Sequence, residues 1–126
     1  MANNPRRANG AKRDALIARL KAQRLPCALC GKPIDYELTT WVDPKDGRTK
    51  PHPYRFEVDE VVPVSRGGDP LAWSNLQPAH RICNQRRGNK TMAQWRRIQS
   101  DARIASEAAR IASKAVSDAI TTSRPW

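Results

Sequence analysis

Two short pairs of soft donors, Cys27-Ala-Leu-Cys30 and His80-Arg-Ile-Cys83, constrain the fold of this chain more than any other feature. Two such pairs, each on a turn or at a helix start, can converge to supply four ligands in the tetrahedron that Zn²⁺ prefers. The pairing consumes all three cysteines, an odd number that a disulfide framework would leave unexplained. Composition shows why a staple is needed. Only 39% of the 126 residues are hydrophobic, with one Phe and two Tyr, which is thin material for a core at this size. Metal binding compensates, because its free energy becomes folding free energy. The plainer alternative is three buried thiols and an unrelated histidine. The matching spacings and the turn residues Pro26, Gly31 and Pro33 favour a structural zinc held by Cys27, Cys30, His80 and Cys83. Four protein ligands leave no open position for a reacting water. A zinc deaminase would need His-x-Glu upstream of its Cys-x2-Cys, and no histidine precedes Cys27.

The net charge of +11 points to a polyanionic partner, nucleic acid above all. The charge is clustered. Residues 1–26 hold Arg6, Arg7, Lys12, Arg13, Arg19, Lys21 and Arg24 against the single acid Asp14, and residues 81–97 hold six basic residues and no acid. The N-terminal stretch MANNPRR has no apolar region behind it, and no run approaches a membrane span, so a cytoplasmic protein with no membrane partner is expected.

The punctuation predicts an α+β chain in three parts: a basic N-terminal arm over 1–24 with a helix at 11–24, a domain over 25–92, and a helical extension over 93–126. Residues 1–9 read as disordered and 34–53 as irregular, with Asp43-Pro44 and Asp46-Gly47 as turns. A strand is expected around 55–62, a second near 75–78, a helix from about His80 to Arg87, and an Ala-rich helix from Met92 to about Ile120.

The strand Phe56-Glu-Val-Asp-Glu-Val-Val62 carries adjacent acids, Asp59 and Glu60, although an unpaired buried carboxylate costs several kcal/mol to desolvate. With Cys-x2-Cys before it and Ser74-Asn-Leu-Gln-Pro-Ala-His-Arg-Ile-Cys-Asn-Gln-Arg-Arg-Gly-Asn-Lys90 after it, the segment resembles the zinc-containing HNH endonucleases, most of all the small phage-encoded type. The resemblance covers about 27–90. It implies a ββα-metal module, two antiparallel strands and a helix around one divalent cation, Mg²⁺ or Mn²⁺. Asp59 matches the metal-binding position, Glu60 stands where the family usually has the histidine base, Asn75 matches the middle Asn that orients the loop and base, and Asn84 matches a metal-binding Asn. His80 sits where other members place a zinc cysteine.

The activity implied is hydrolysis of duplex DNA, with Arg66, Arg81, Arg86, Arg87 and Lys90 positioning the backbone and therefore low sequence specificity. Glu60 is open to three readings: general base, additional metal ligand, or the mark of a dead centre kept for DNA binding. In an extended strand Asp59 and Glu60 point to opposite faces, which suits the base arrangement. A solvated edge-strand charge would explain Glu60 alone, but not Asn75 and Asn84 at matching spacing. By resemblance, such free-standing proteins assist a phage terminase in genome packaging. The competing classes are a catalytically inactive zinc-stabilised DNA-binding module and a ribosome-associated RNA-binding zinc protein.

Overall fold

The computed structural model describes residues 9–122. Residues 1–8 and the terminal Trp126 lie outside the described residues, and with them the expectation of a disordered N-terminus. The chain divides into two units, residues 1–92 and 93–126.

The first unit opens with helix α1, Gly10–Ala22. Its Leu20 is buried and Leu16 and Ile17 are half-buried. A two-stranded antiparallel hairpin follows, β1 Thr40–Val42 with β2 Thr49–Pro51. The stretch was expected to be irregular, and the difference comes from its turn. Asp43 Oδ1 accepts from the Lys45 N–H at 2.9 Å, the Gly47 N–H reaches the Asp43 carbonyl at 2.8 Å, and Gly47 takes a φ of 67°. With Asp46 Oδ1 accepting from the Arg48 N–H at 3.0 Å, two aspartate-anchored turns bring three-residue strands together that are too short to announce themselves by alternation.

The second pair of strands and the helix after them form the ββα core. Strand β3, Phe56–Glu60, pairs antiparallel with β4, Leu76–His80, in the register Phe56↔His80, Val58↔Pro78, Asp59↔Gln77 and Glu60↔Leu76. Helix α2, Arg81–Arg87, starts immediately after β4 with His80 as its N-cap residue and ends at Gly88, φ 57°. It packs on both strands.

The link from β3 to β4 is long, but Asn75 ties it down. Its Oδ1 accepts from the Val62 N–H at 2.8 Å, and its Nδ2 donates to the Val62 and Asp69 carbonyls, both at 3.1 Å. The Val61 N–H reaches the Asn75 carbonyl at 2.9 Å. The Gly67-Gly68 turn fits this clamp for two separate reasons. Gly67 adopts φ 89°, and a Cβ on Gly68 would lie 1.7 Å from the Val62 carbonyl oxygen.

The buried apolar set of the first unit is small: Leu20, Leu29, Ile34, Tyr36, Phe56, Leu76 and Ala79, together with Cys27 and Cys83. Tyr36 and Phe56 rings meet at 5.2 Å between centroids.

The second unit is formed by helix α3, Met92–Thr122, 31 residues long, with Ile104, Ile111, Val116 and Ile120 exposed along it. Among the described residues no helix is long and apolar enough to cross a membrane.

Candidate metal and nuclease centre

Cys27, Cys30, His80 and Cys83 come together as the sequence predicts, with their donor atoms within 4.8 Å of one another. The first half-site is a tight turn: the Gly31 N–H donates to the Cys27 carbonyl at 2.8 Å, and Gly31 has a φ of 77°. This turn is fastened to β4 by the Ala28 N–H, which donates to the Pro78 carbonyl at 2.9 Å. The second half-site is the β4–α2 junction itself. The Arg81 and Ile82 N–H groups donate to the Arg55 and Pro53 carbonyls at 2.9 and 2.8 Å, which ties the start of α2 to the segment before β3.

His80 Nδ1 lies 3.4 Å from Cys30 Sγ and 3.8 Å from Cys83 Sγ. Ligand atoms 2.0–2.3 Å from a tetrahedral zinc lie about 3.5 to 3.8 Å apart, so the spacing fits. The tautomer fits as well. His80 Nε2 is 3.0 Å from the Pro33 carbonyl, which can only accept, so Nε2 carries the proton and Nδ1 keeps the lone pair. Burial, reinforced by the Cys27 and Cys30 sulfurs, pushes the Cys83 thiol up to about 12. Three crowded thiols resist ionisation together, and a divalent cation at their centre removes that opposition. The four side chains therefore form a group that can hold a zinc ion.

The second centre lies on β3. Asp59 and Glu60 are 3% and 5% exposed, and each meets a buried arginine from a different helix. Arg87 of α2, fully buried, donates from one Nη to Asp59 Oδ2 at 2.6 Å and to the Glu60 carbonyl at 2.6 Å, and from the other to the Val61 carbonyl at 2.7 Å. Arg13 of α1, 8% exposed, donates to Glu60 Oε1 at 3.4 Å and to the Pro70 carbonyl at 2.7 Å. The adjacent acids thus turn to different helices, as strand alternation requires.

Arg87 does not face solvent, where a phosphate-positioning side chain must sit. Its place corrects the expectation that it grips DNA. In the last turn of α2 it lies over β3, where its planar fork neutralises a buried carboxylate and satisfies two end-of-strand carbonyls.

Gln77, opposite Asp59 in the register, also donates to Asp59 Oδ2, at 2.8 Å. Both bonds to the Asp59 carboxylate land on Oδ2, and Oδ1 accepts none among the described residues. Burial pushes the Asp59 carboxyl above its ordinary value, against Gln77 and Arg87, which pull it down.

Asn84 of α2 is arranged in the same way. Its Nδ2 donates to Glu57 Oε1 at 3.2 Å and faces the Val58 carbonyl at 3.5 Å. That occupies the donor side and leaves Oδ1 as its unbonded oxygen among the described residues. Glu57, Asp59, Glu60, Asn84 and Arg13 all line one cavity of about 340 Å³. Oxygen donors of this kind, with their neighbouring atoms tied back, are of the hard type that suits a divalent cation.

Glu57 was not anticipated. It shares the Asp59 face two residues away, and it also pairs with Arg81 at 2.6 Å. The period-2 rule pointed to it, but attention to the adjacent acids obscured it. Arg13 had no local signal, lying 47 positions from Glu60.

The remaining basic residues divide. Arg86 is exposed. Arg66 is exposed, with Nε donating to the Asn89 carbonyl at 2.6 Å. Arg81 is half-buried on Glu57, and Lys90 Nζ caps the end of α2 through the Arg86 and Arg87 carbonyls at 3.2 Å. Asn75 stands as the clamp of the β3–β4 loop described above.

Residues 27–90, just over half of the chain, match the family model described as HNH endonuclease. No curated protein and no solved structure matches.

Proposed function

The chain belongs to the HNH endonuclease family, and on that premise we propose that it is a metal-dependent endonuclease hydrolysing phosphodiester bonds of duplex DNA. The observation that supports this reading most is the convergence of Asp59, Glu60 and Asn84 on one cavity at the end of a ββα unit.

In this reading Asp59 and Asn84 would hold Mg²⁺ or Mn²⁺, and Cys27, Cys30, His80 and Cys83 would hold Zn²⁺. A divalent cation bound at Asp59 and Asn84 would neutralise charge on the scissile phosphate and on the departing 3′ oxygen. Glu60 accepts the proton of the attacking water as the new phosphorus–oxygen bond forms and the bond to the 3′ oxygen breaks. Arg87 and Gln77 hold Asp59 by one oxygen, and Glu57 holds Asn84 by its amide nitrogen. Arg66, Arg81, Arg86 and Lys90 steer phosphates rather than bases, which gives low sequence specificity.

A second reading is favoured by one observation: Asp59 and Glu60 already have internal cations, Arg87 and Arg13. In that reading the module binds DNA without cutting it.

Nicking of supercoiled plasmid separates the two. The nuclease reading expects cleavage with Mg²⁺ or Mn²⁺ that EDTA abolishes. Asp59→Ala should lose cleavage while keeping DNA affinity. Glu60→Gln should lose about 10²- to 10⁴-fold, the usual worth of a general base, and activity surviving that change excludes Glu60 from the role. Wild-type protein that binds DNA but never nicks it establishes the inactive module.

A further inference from the structure

We infer that Arg13, on the helix preceding the family-matched region, is a positioning residue of the nuclease centre, acting through Glu60. The inference rests on the nuclease reading above.

A helix over 10–22 rich in lysine and arginine reads from sequence as a DNA-gripping arm, with its cations in solvent. The arginines of this helix and of the turn just after it are otherwise engaged. Arg19 stacks on the Trp73 ring at 3.8 Å, and Arg24 pairs with Glu37 at 3.1 Å and lies 5.3 Å from the centre of the Tyr36 ring. Arg13 goes furthest inward. Its side chain and that of Glu60 are 10% and 7% exposed, and it lines the same cavity as Asp59 and Asn84. Burying a guanidinium is costly unless its donors are satisfied, and here they reach two acceptors of different kinds. One Nη donates to the Pro70 carbonyl at 2.7 Å and the other to Glu60 Oε1 at 3.4 Å.

The planar fork fixes the angle between those two bonds. Pro70 belongs to the loop that Asn75 clamps, and Glu60 ends β3. Arg13 therefore holds the reacting carboxylate against a loop that is itself pinned, which restricts the directions from which Glu60 can meet a water. Helix α1 is in this way part of the centre, although it lies outside the matched region.

The test is steady-state plasmid or duplex cleavage by the full-length protein. Arg13→Lys keeps the charge and the fold, but one ammonium cannot reproduce the two-acceptor fork. Its kcat should fall about tenfold or more, with KM for DNA within about twofold, as expected when a general base is misaimed. Arg13→Ala should lose more and regain turnover on addition of millimolar guanidinium ion, a rescue that a merely structural role would not show. Arg19→Ala, which loosens the same helix at Trp73, should keep wild-type turnover. Wild-type kcat in Arg13→Lys, or a folded Arg13→Ala that guanidinium leaves unchanged, overturns the inference and leaves the nuclease reading standing. Wild-type protein with no cleavage at all overturns both.

Discussion

At Arg87 a side chain of the kind that grips phosphates is instead enclosed by the protein, 0% exposed, with Asp59 Oδ2 at 2.6 Å. Its removal leaves a buried carboxylate without its cation. Arg87→Met should therefore cost about 3 to 5 kcal/mol of stability, measured by chemical denaturation, even though a methionine of similar length fills the space. Gly68 is constrained by sterics alone. Because a Cβ there would meet the Val62 carbonyl at 1.7 Å, Gly68→Ala must displace the loop or break the Asn75 clamp. A loss of about 1 to 3 kcal/mol is expected from that overpacking. Alanine tolerated at wild-type stability would show that the loop is not held as described. Glu60 carries the functional question at this scale. Glu60→His, which supplies an imidazole that titrates near neutral pH, should raise the rate of plasmid nicking.

At the scale of elements, the β1–β2 hairpin shows how local hydrogen bonds make structure where periodicity is silent. Asp43 is held below the ordinary carboxylate value, first by the Lys45 N–H and then by Lys50, whose own ammonium is held up by Asp46 and Asp43. For an acid whose folded value is depressed, the stabilisation is fully present above the unfolded value and disappears as pH falls through the folded one. The hairpin turn should thus stay intact at neutral pH and loosen only in acid, below the ordinary Asp range near 3.8. Amide shifts of Lys45 and Gly47 followed by NMR titration check this, and a midpoint at or above that range contradicts it. The α1 helix teaches the complementary lesson. Its spacing is legible in sequence, but the destinations of Arg13 and Arg19, and of Arg24 just beyond its end, are not, because each partner is remote in the chain.

For the whole molecule, the first unit has a thin apolar core wrapped around three buried or half-buried thiols and one imidazole. Structural zinc in small domains supplies about 10 to 16 kcal/mol of apparent binding free energy, comparable to the whole stability of a domain. Stripping the metal with a strong chelator, or replacing Cys83 by Ala, should abolish the cooperative thermal transition of residues 9–92. Elemental analysis of the native protein should find zinc at one equivalent. Helix α3 should keep its circular dichroism signal better than the rest, since it lies outside the unit that carries the four ligands. Native protein without bound metal and with an unchanged transition would remove zinc from the account.

The sequence by itself determined what depends on short spacings. Cys-x2-Cys and His-x2-Cys each fit within a turn, the Gly67-Gly68 turn is read from local backbone rules, Asn75 from the family resemblance, and Asp59 and Glu60 are separated by strand alternation. Those signals were enough for the ββα order, the four side chains that can hold a zinc ion and the acids on β3. Only the tertiary structure decided how the acids are neutralised and aimed. Arg87 meets Asp59 across 28 positions and Arg13 meets Glu60 across 47, contacts set by how helices dock on a strand and carried by no local pattern. The physical reason is reach. A long, flexible cation can end in solvent or in the core, and which it does depends on whether packing brings an unpaired carboxylate and free carbonyls within the span of its fork.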